Sequence, residues 1–188
     1  MTKKNELLEW IKTIVIAGII AIIVIQFIAP TVVKERSMEP SFYESDYLLI
    51  SKQSYNISEP ARGDVIVFES NIPLDESDLS KGSKLLIKRI IGVPGDKIDV
   101  KDGDVYINDK KADEPYIKDG YTAGEVSGFT VPKDSYYCMG DNRLVSVDSR
   151  SERVGCVSKD AIVGKVFVRL YPFDSFGLIK SWDPLGEK

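Results

Sequence analysis

Residues 85–91 read Leu85-Leu86-Ile87-Lys88-Arg89-Ile90-Ile91 and run into the turn Val93-Pro94-Gly95-Asp96. A short aliphatic run bounded by turn residues marks a β-strand. With a side-chain period of two, Lys88 shares a face with Leu86 and Ile90. An ammonium on an apolar face loses hydration, and its pKa falls towards the range in which it accepts a proton. A lysine in such a run more often snorkels to water or sits on a solvent-facing edge. The strand alone therefore assigns Lys88 no chemistry.

On both sides of this strand the texture is the same. Tyr47–Ser51, Val65–Phe68, Ser135–Met139 and Ile162–Tyr171 read as strands, the second led in by the turn Glu59-Pro60-Ala61-Arg62-Gly63-Asp64. Lys97–Val100 and Val105–Ile107 flank Asp102-Gly103, a hairpin signal. Residues 71–84 are polar, with Pro73 and Gly82, and read as an exposed connection. Residues 118–128 hold three glycines and read as a mobile loop, and Ser158–Ala161 as a single helical turn. There are no repeats and no long amphipathic helix. The pattern predicts an all-β domain, mostly antiparallel, with many non-local pairings around one core.

Before these strands lies TIVIAGIIAIIVIQFIAPTVV, 21 uncharged residues from Thr13 to Val33. At 1.5 Å rise per residue a helix of that length spans roughly 30 Å, about the thickness of a bilayer's hydrocarbon core. A cleavable signal peptide is the competing reading, but the run is too long and no small-x-small site follows it. It is expected to be a retained transmembrane anchor, with residues 1–12 cytoplasmic and residues 34–188 forming one extracytoplasmic domain. Lys3, Lys4 and Lys12 before the run and Lys34 and Arg36 after it favour that orientation only slightly.

Immediately after the anchor comes Glu35-Arg36-Ser37-Met38-Glu39-Pro40. A serine hydroxyl is a weak nucleophile until a base removes its proton. The chain contains no histidine, which excludes a Ser-His-Asp triad and imidazole metal ligands. If Ser37 is a nucleophile, its base is a lysine, and Lys88 is the candidate. Taken singly, Ser-Met-x-Pro is more often a plain turn. A third segment, Gly140-Asp141-Asn142-Arg143-Leu144-Val145-Ser146-Val147-Asp148-Ser149-Arg150, is read in two ways. It is either a surface loop held by Asp-Arg pairs or the buttress of a catalytic site. In the second case Ser146 supplies a hydroxyl to orient the lysine without the charge that would raise its pKa. Asp148 and Arg150 would then brace the loop.

Composition narrows the rest. About 155 of the 188 residues follow the anchor, enough for one domain with a real core. A net charge of −4 with both signs mixed throughout argues against a nucleic-acid partner. Cys138 and Cys156 make no metal motif, and no cofactor is expected. They read as two small buried apolar residues, with one disulfide as the alternative.

Taken together these blocks resemble bacterial type I signal peptidases, membrane-anchored serine proteases that remove signal peptides from exported proteins. The matching blocks, in order, are the anchor at 13–33, Ser37-Met38-x-Pro40, Arg62-Gly63-Asp64-Val65-Ile66-Val67-Phe68, Lys88-Arg89-Ile90-Ile91-Gly92-x-Pro94-Gly95-Asp96, and Gly140-Asp141-Asn142-Arg143 through Ser146-x-Asp148-Ser149-Arg150. The resemblance implies a Ser37–Lys88 dyad, with Ser146 orienting the lysine and Asp148 with Arg150 as a supporting ion pair. It also implies cleavage after small residues in Ala-x-Ala-like sites, at the outer face of the cytoplasmic membrane. The single anchor looks like Gram-positive forms. Glu35 departs from the pattern, since some members place there a serine that assists the oxyanion hole; the backbone N–H of Ser37 is left to do that work. The substrate cleft is expected between segments 31–36 and 85–88, walled by Val33, Met38, Leu86 and Ile87. Expected partners are secretory precursors and the lipid bilayer, and the protein is expected to be a monomer. A self-cleaving Ser-Lys regulator fits poorly with an anchor, and an inactive homologue fits poorly with both Ser37 and Lys88 in place.

Overall fold

The computed structural model describes residues 3–186, so residues 1–2 of the expected cytoplasmic segment and 187–188 of the expected outer domain lie outside the described residues. Helix α1 (Lys3–Phe27) contains a stretch, Glu9–Phe27, long and apolar enough to cross a membrane, and none of it is buried against the rest of the chain. Here the structure departs from a helix running to Val33. The apolar run changes conformation at Ile28 and continues as strand β1 (Ile28–Val32). Pro30 explains the change: it has no N–H to give a helix, and it pushes Ala29 towards extended backbone.

The chain then makes a 3₁₀ turn at Arg36–Met38 and continues as β2 (Tyr47–Ser51), the single-turn helix α2 (Ser54–Ile57), β3 (Val65–Pro73) and β4 (Ser83–Gly92). A smaller set follows: β5 (Lys97–Lys101), β6 (Asp104–Ile107), β7 (Lys110–Lys111) and β8 (Val126–Thr130). The chain closes with β9 (Ser135–Met139), β10 (Val157–Ser158), β11 (Ile162–Tyr171) and β12 (Gly177–Leu178). The larger sheet runs β1-β2-β11-β3-β4-β9-β10 with β12 on β11, and the smaller runs β7-β6-β5-β8. Every pairing is antiparallel. The fold is mostly antiparallel β with one N-terminal apolar helix.

The Asp102-Gly103 hairpin forms as its dipeptide requires, with φ of 55° and 85° at the two turn residues. β3 is apolar on successive residues because it is buried on both faces. Ile66 and Phe68 pack with Leu86, Ile90 and Cys138, whereas Val65 and Val67 pack with Val33, Met38, Phe42 and Ile50 on the opposite face. A third cluster, including Ile98, Val105, Tyr137 and Met139, lies under the smaller sheet.

Segment 112–125, which overlaps the 118–128 stretch that reads as a mobile loop in the sequence, is tied down, and 126–128 open strand β8. The Lys118 N–H donates to Asp141 O (3.1 Å), Asp113 N–H to Pro184 O (2.8 Å), and the Ala123 carbonyl accepts from Arg150 (2.7 Å). Its glycines let the chain turn; its polar side chains fix it.

Candidate active site

Ser37 sits inside the 3₁₀ turn that begins after three residues beyond β1, 8% exposed. Lys88 lies midway along β4 opposite Ile66 and is 1% exposed. Its Nζ donates to Ser37 Oγ at 2.7 Å, joining residues 51 positions apart. Leu86 and Ile90 share the lysine's face, as the strand period requires. Burial pushes the Lys88 pKa below the ordinary lysine range. The charges of Asp148, Glu35 and Asp141 and the Cys138 thiol push it back by less.

The turn that carries Ser37 is pinned from three directions. Asn142 donates its N–H to Ser37 O (3.0 Å) and its Nδ2 to Arg36 O (3.1 Å). Glu39, two residues on, accepts from Arg36 (2.9 Å) and from Lys118 (2.5 Å). Those two cations hold its carboxyl down at about 2, against burial. The Ser37 N–H has no acceptor among the described residues. It is one of the donors that the first turn of a short helix leaves unpaired.

β4 pairs with β3 through Lys88, and β9 joins its other side only from Arg89 onward. Among the described residues no strand pairs with the β9 side of β4 over 83–88, and loop 140–150 follows the end of β9. Asp148 accepts from Gly140 N–H (3.0 Å) and pairs with Arg150 (2.8 Å). Burial pushes the Asp148 carboxyl up, but the Arg150 bond and charge, then Gly140, outweigh it and hold it below the usual range. The Ser146 hydroxyl is buried near the Asp148 carboxyl, which it helps hold down, but it meets no partner in hydrogen-bond geometry. It packs against Gly140 so closely that a Cβ there would lie 2.3 Å from Ser146 Oγ and 2.5 Å from Ser37 O. Cys138 is buried opposite Ile90, two residues along β4 from Lys88, Cys156 is half-buried, and both are free thiols.

Of the four expected wall residues, Val33 and Met38 pack together with Ile87 beside them, while Leu86 lies on the Lys88 face of β4. The site thus has three of them on one side of the strand and one on the other.

A family profile described as "Signal peptidase, peptidase S26" matches residues 7–171. The chain belongs to the signal peptidase family, peptidase S26. Among curated relatives, Signal peptidase IB of Staphylococcus aureus (strain Mu50) is 37% identical, covering 92% of this chain and 94% of that protein. Probable signal peptidase I-2 of Synechocystis is 40% identical, covering 94% of this chain and 78% of that protein. A crystal structure of a signal peptidase I from Enterococcus faecalis is similar at 27% identity and a TM-score of 0.46, covering 57% of this chain and 97% of that one. This signal peptidase is accordingly a serine peptidase of type I, a hydrolase acting on precursors that carry signal peptides. With its N-terminal apolar helix it is membrane-anchored.

The structure adds residues that the sequence motifs left without a role. Arg89 forms a buried pair with Asp141 (2.7 Å), donates to Gly63 O (3.1 Å) and stacks on Tyr116 at 4.0 Å. Arg143 is clasped by Glu114 (2.5 Å), Thr122 (2.6 Å) and Gly140 O (2.9 Å). The available signal was the arginines themselves: a guanidinium placed in an apolar or turn-rich block needs a buried carboxylate somewhere.

Proposed function

We propose that this signal peptidase cuts by a Ser37–Lys88 dyad at the outer face of the cytoplasmic membrane. The observation that carries the reading is the 2.7 Å contact between the buried Lys88 Nζ and Ser37 Oγ. With the amine neutral, the same contact runs in the other sense, Oγ–H donating to Nζ. Lys88 then takes the proton as Oγ bonds to the scissile carbonyl carbon. The oxyanion forms against the free Ser37 N–H. Collapse breaks the C–N bond, the protonated lysine gives its proton to the departing amine, and the signal peptide remains as an ester on Ser37. Water, deprotonated by Lys88, hydrolyses that ester and returns Ser37. Ser146, an unpaired hydroxyl beside Gly140, is the group available to orient the amine, and Asp148 with Arg150 holds the loop behind it.

The substrate is placed as a strand along the unpaired side of β4 at 83–88, near segment 31–36. Val33, Met38 and Ile87 then wall it on one side of β4 and Leu86 on the other, leaving shallow pockets suited to Ala-x-Ala. Precursors carrying Ala→Leu at either position are expected to be cut far more slowly, and equal rates at both would place the cleft elsewhere. Purified enzyme on an Ala-x-Ala precursor, beside Ser37→Ala and Lys88→Ala, tests the dyad. Either variant retaining near-full activity would sink it.

The uncharged run from Thr13 is read as the anchor, residues 1–12 as cytoplasmic and residues 34–188 as extracytoplasmic, the enzyme acting as a monomer. Tyr47, Tyr171 and Phe173, stacked edge to face and 47–82% exposed, form with Phe176 and Leu178 an apolar surface suited to rest on lipid.

A further inference from the structure

The chain enters the nucleophile's turn through an extended segment, and that segment carries an unpaired carboxylate. Val33 prolongs the pairing beyond β1: its N–H donates to Asp46 O (3.0 Å), and its carbonyl accepts from the Ser45 N–H (2.9 Å). Glu35 is also extended, at φ −130° and ψ 157°. With a side-chain period of two, Glu35 leaves the backbone on the same side as Val33, and Lys34 on the other. Val33 is buried with Met38, beside Ile87, in the wall assigned to the cleft. Glu35, two residues further on, is exposed, so its carboxylate stands at the mouth of that cleft.

The cations nearby in sequence and space are already paired. Arg36 and Lys118 both hold Glu39, at 2.9 and 2.5 Å, whereas Glu35 meets no cation at ion-pair distance among the described residues. Its field runs inward: at the buried Lys88 amine the Glu35 charge counts for more than that of buried Asp141. The carboxylate therefore lies on the Ser37–Lys88 side of its segment, where the strand period also puts it.

A precursor whose scissile carbonyl reaches Ser37 Oγ must bring the residues next to that bond past this charge, since two extended residues span only about 7 Å. Of the positions within two residues of the cut, the small residue at −1 faces the wall, which leaves −2, +1 and +2 free to differ. In water a unit charge at about 7 Å, changed from positive to negative, alters a rate by roughly five- to tenfold.

We propose that Glu35 is a specificity-determining residue, whose carboxylate favours precursors with a lysine or arginine within two residues of the cut and disfavours those with an aspartate or glutamate there. The proposal rests on Ser37 as the nucleophile.

The test uses the full chain in uncharged detergent micelles, with purified Ala-x-Ala precursors carrying Lys or Asp singly at −2, +1 or +2. The readout is the ratio of kcat/KM for Lys over Asp, which a general loss of activity leaves unchanged. The parent enzyme should favour Lys by roughly five- to tenfold at one or more of these positions, and high salt should erase most of that preference. Glu35→Gln should bring the ratio close to one, and Glu35→Lys should invert it. A ratio of one in the parent, or the same ratio in all three enzymes, would overturn Glu35 as the selector and leave the dyad standing. Cleavage persisting in Ser37→Ala would overturn the nucleophile and the role of Glu35 together.

Discussion

Lys88 is held where its own charge is least welcome, and two pH dependences follow with definite sign. Its pKa in the fold is depressed by burial. Under the proposed dyad activity needs the neutral amine, so it should rise as pH increases through that depressed value and level off above it. Single-turnover rates between about pH 6 and 10 read this directly, and a flat profile would remove the lysine from the role of base. Stability has the same direction. Between the folded pKa and the unfolded value of about 10.4, the unfolded chain binds the extra proton, so stability rises with pH across that window. Lys88→Met should therefore be more heat-stable than the parent at neutral pH, with the gap closing near pH 10. Lys88→Arg should be inactive, because a guanidinium stays protonated at any working pH. Ser37, Lys88, Asp148 and Arg150 were legible in the chain because each sits in a short block whose residue types state a need. A nucleophile lacking histidine needs a lysine, and a lysine on an apolar face needs a partner. The orphaned state of the Ser146 hydroxyl was not legible, because it depends on how closely the loop packs on Gly140.

Segment 112–125 is the element whose importance the sequence conceals. Gly120 and Gly124 with scattered charges read as loop, yet Glu114, Tyr116, Lys118 and Thr122 reach Arg143, Arg89 and Glu39. Those contacts span 21 to 79 positions in the chain, and no local pattern encodes them. Glu114 is the sharpest probe, since it and Arg143 are 5% and 1% exposed. Glu114→Ala leaves a buried guanidinium short of its carboxylate and should cost about 3–5 kcal/mol, measured by denaturant unfolding. A loss under ~1 kcal/mol would mean that the segment is an ornament. Gly140 probes the loop opposite. The Gly140→Ala methyl has no room beside Ser146 and Ser37 O, so the serine's turn must shift. A displacement of that size should lower kcat by about 10²-fold in a protein that still folds. The end of the helix, in contrast, is readable: Pro30 already marks the run as unfit to stay helical to Val33.

At the scale of the whole molecule, the anchor and the catalytic domain share no linker: α1 ends at Phe27 and β1 begins at Ile28. β1 also completes the large sheet, pairing over its full length with β2. Two truncations should therefore behave differently. Removing residues 1–27 leaves the sheet whole and should give a folded domain that cuts short peptides but processes membrane-inserted precursors poorly. Removing 1–33 strips β1 and the buried Val33 and should lower the melting temperature sharply. Equal melting temperatures would mean that β1 is not part of the folded unit. The missing linker also turns the enzyme into a gauge. Nine residue steps from Phe27 to Arg36, at about 3.4 Å each, set the start of the serine's turn at most ~31 Å from the end of the anchor. A precursor leaving the bilayer at the same level has only that span in which to present its bond. Successive insertions between the apolar stretch of a precursor and its natural cut should first slow processing there, then move the cut to whichever small residue falls at the fixed height. The enzyme would then choose its bond by distance from the membrane before it reads a side chain.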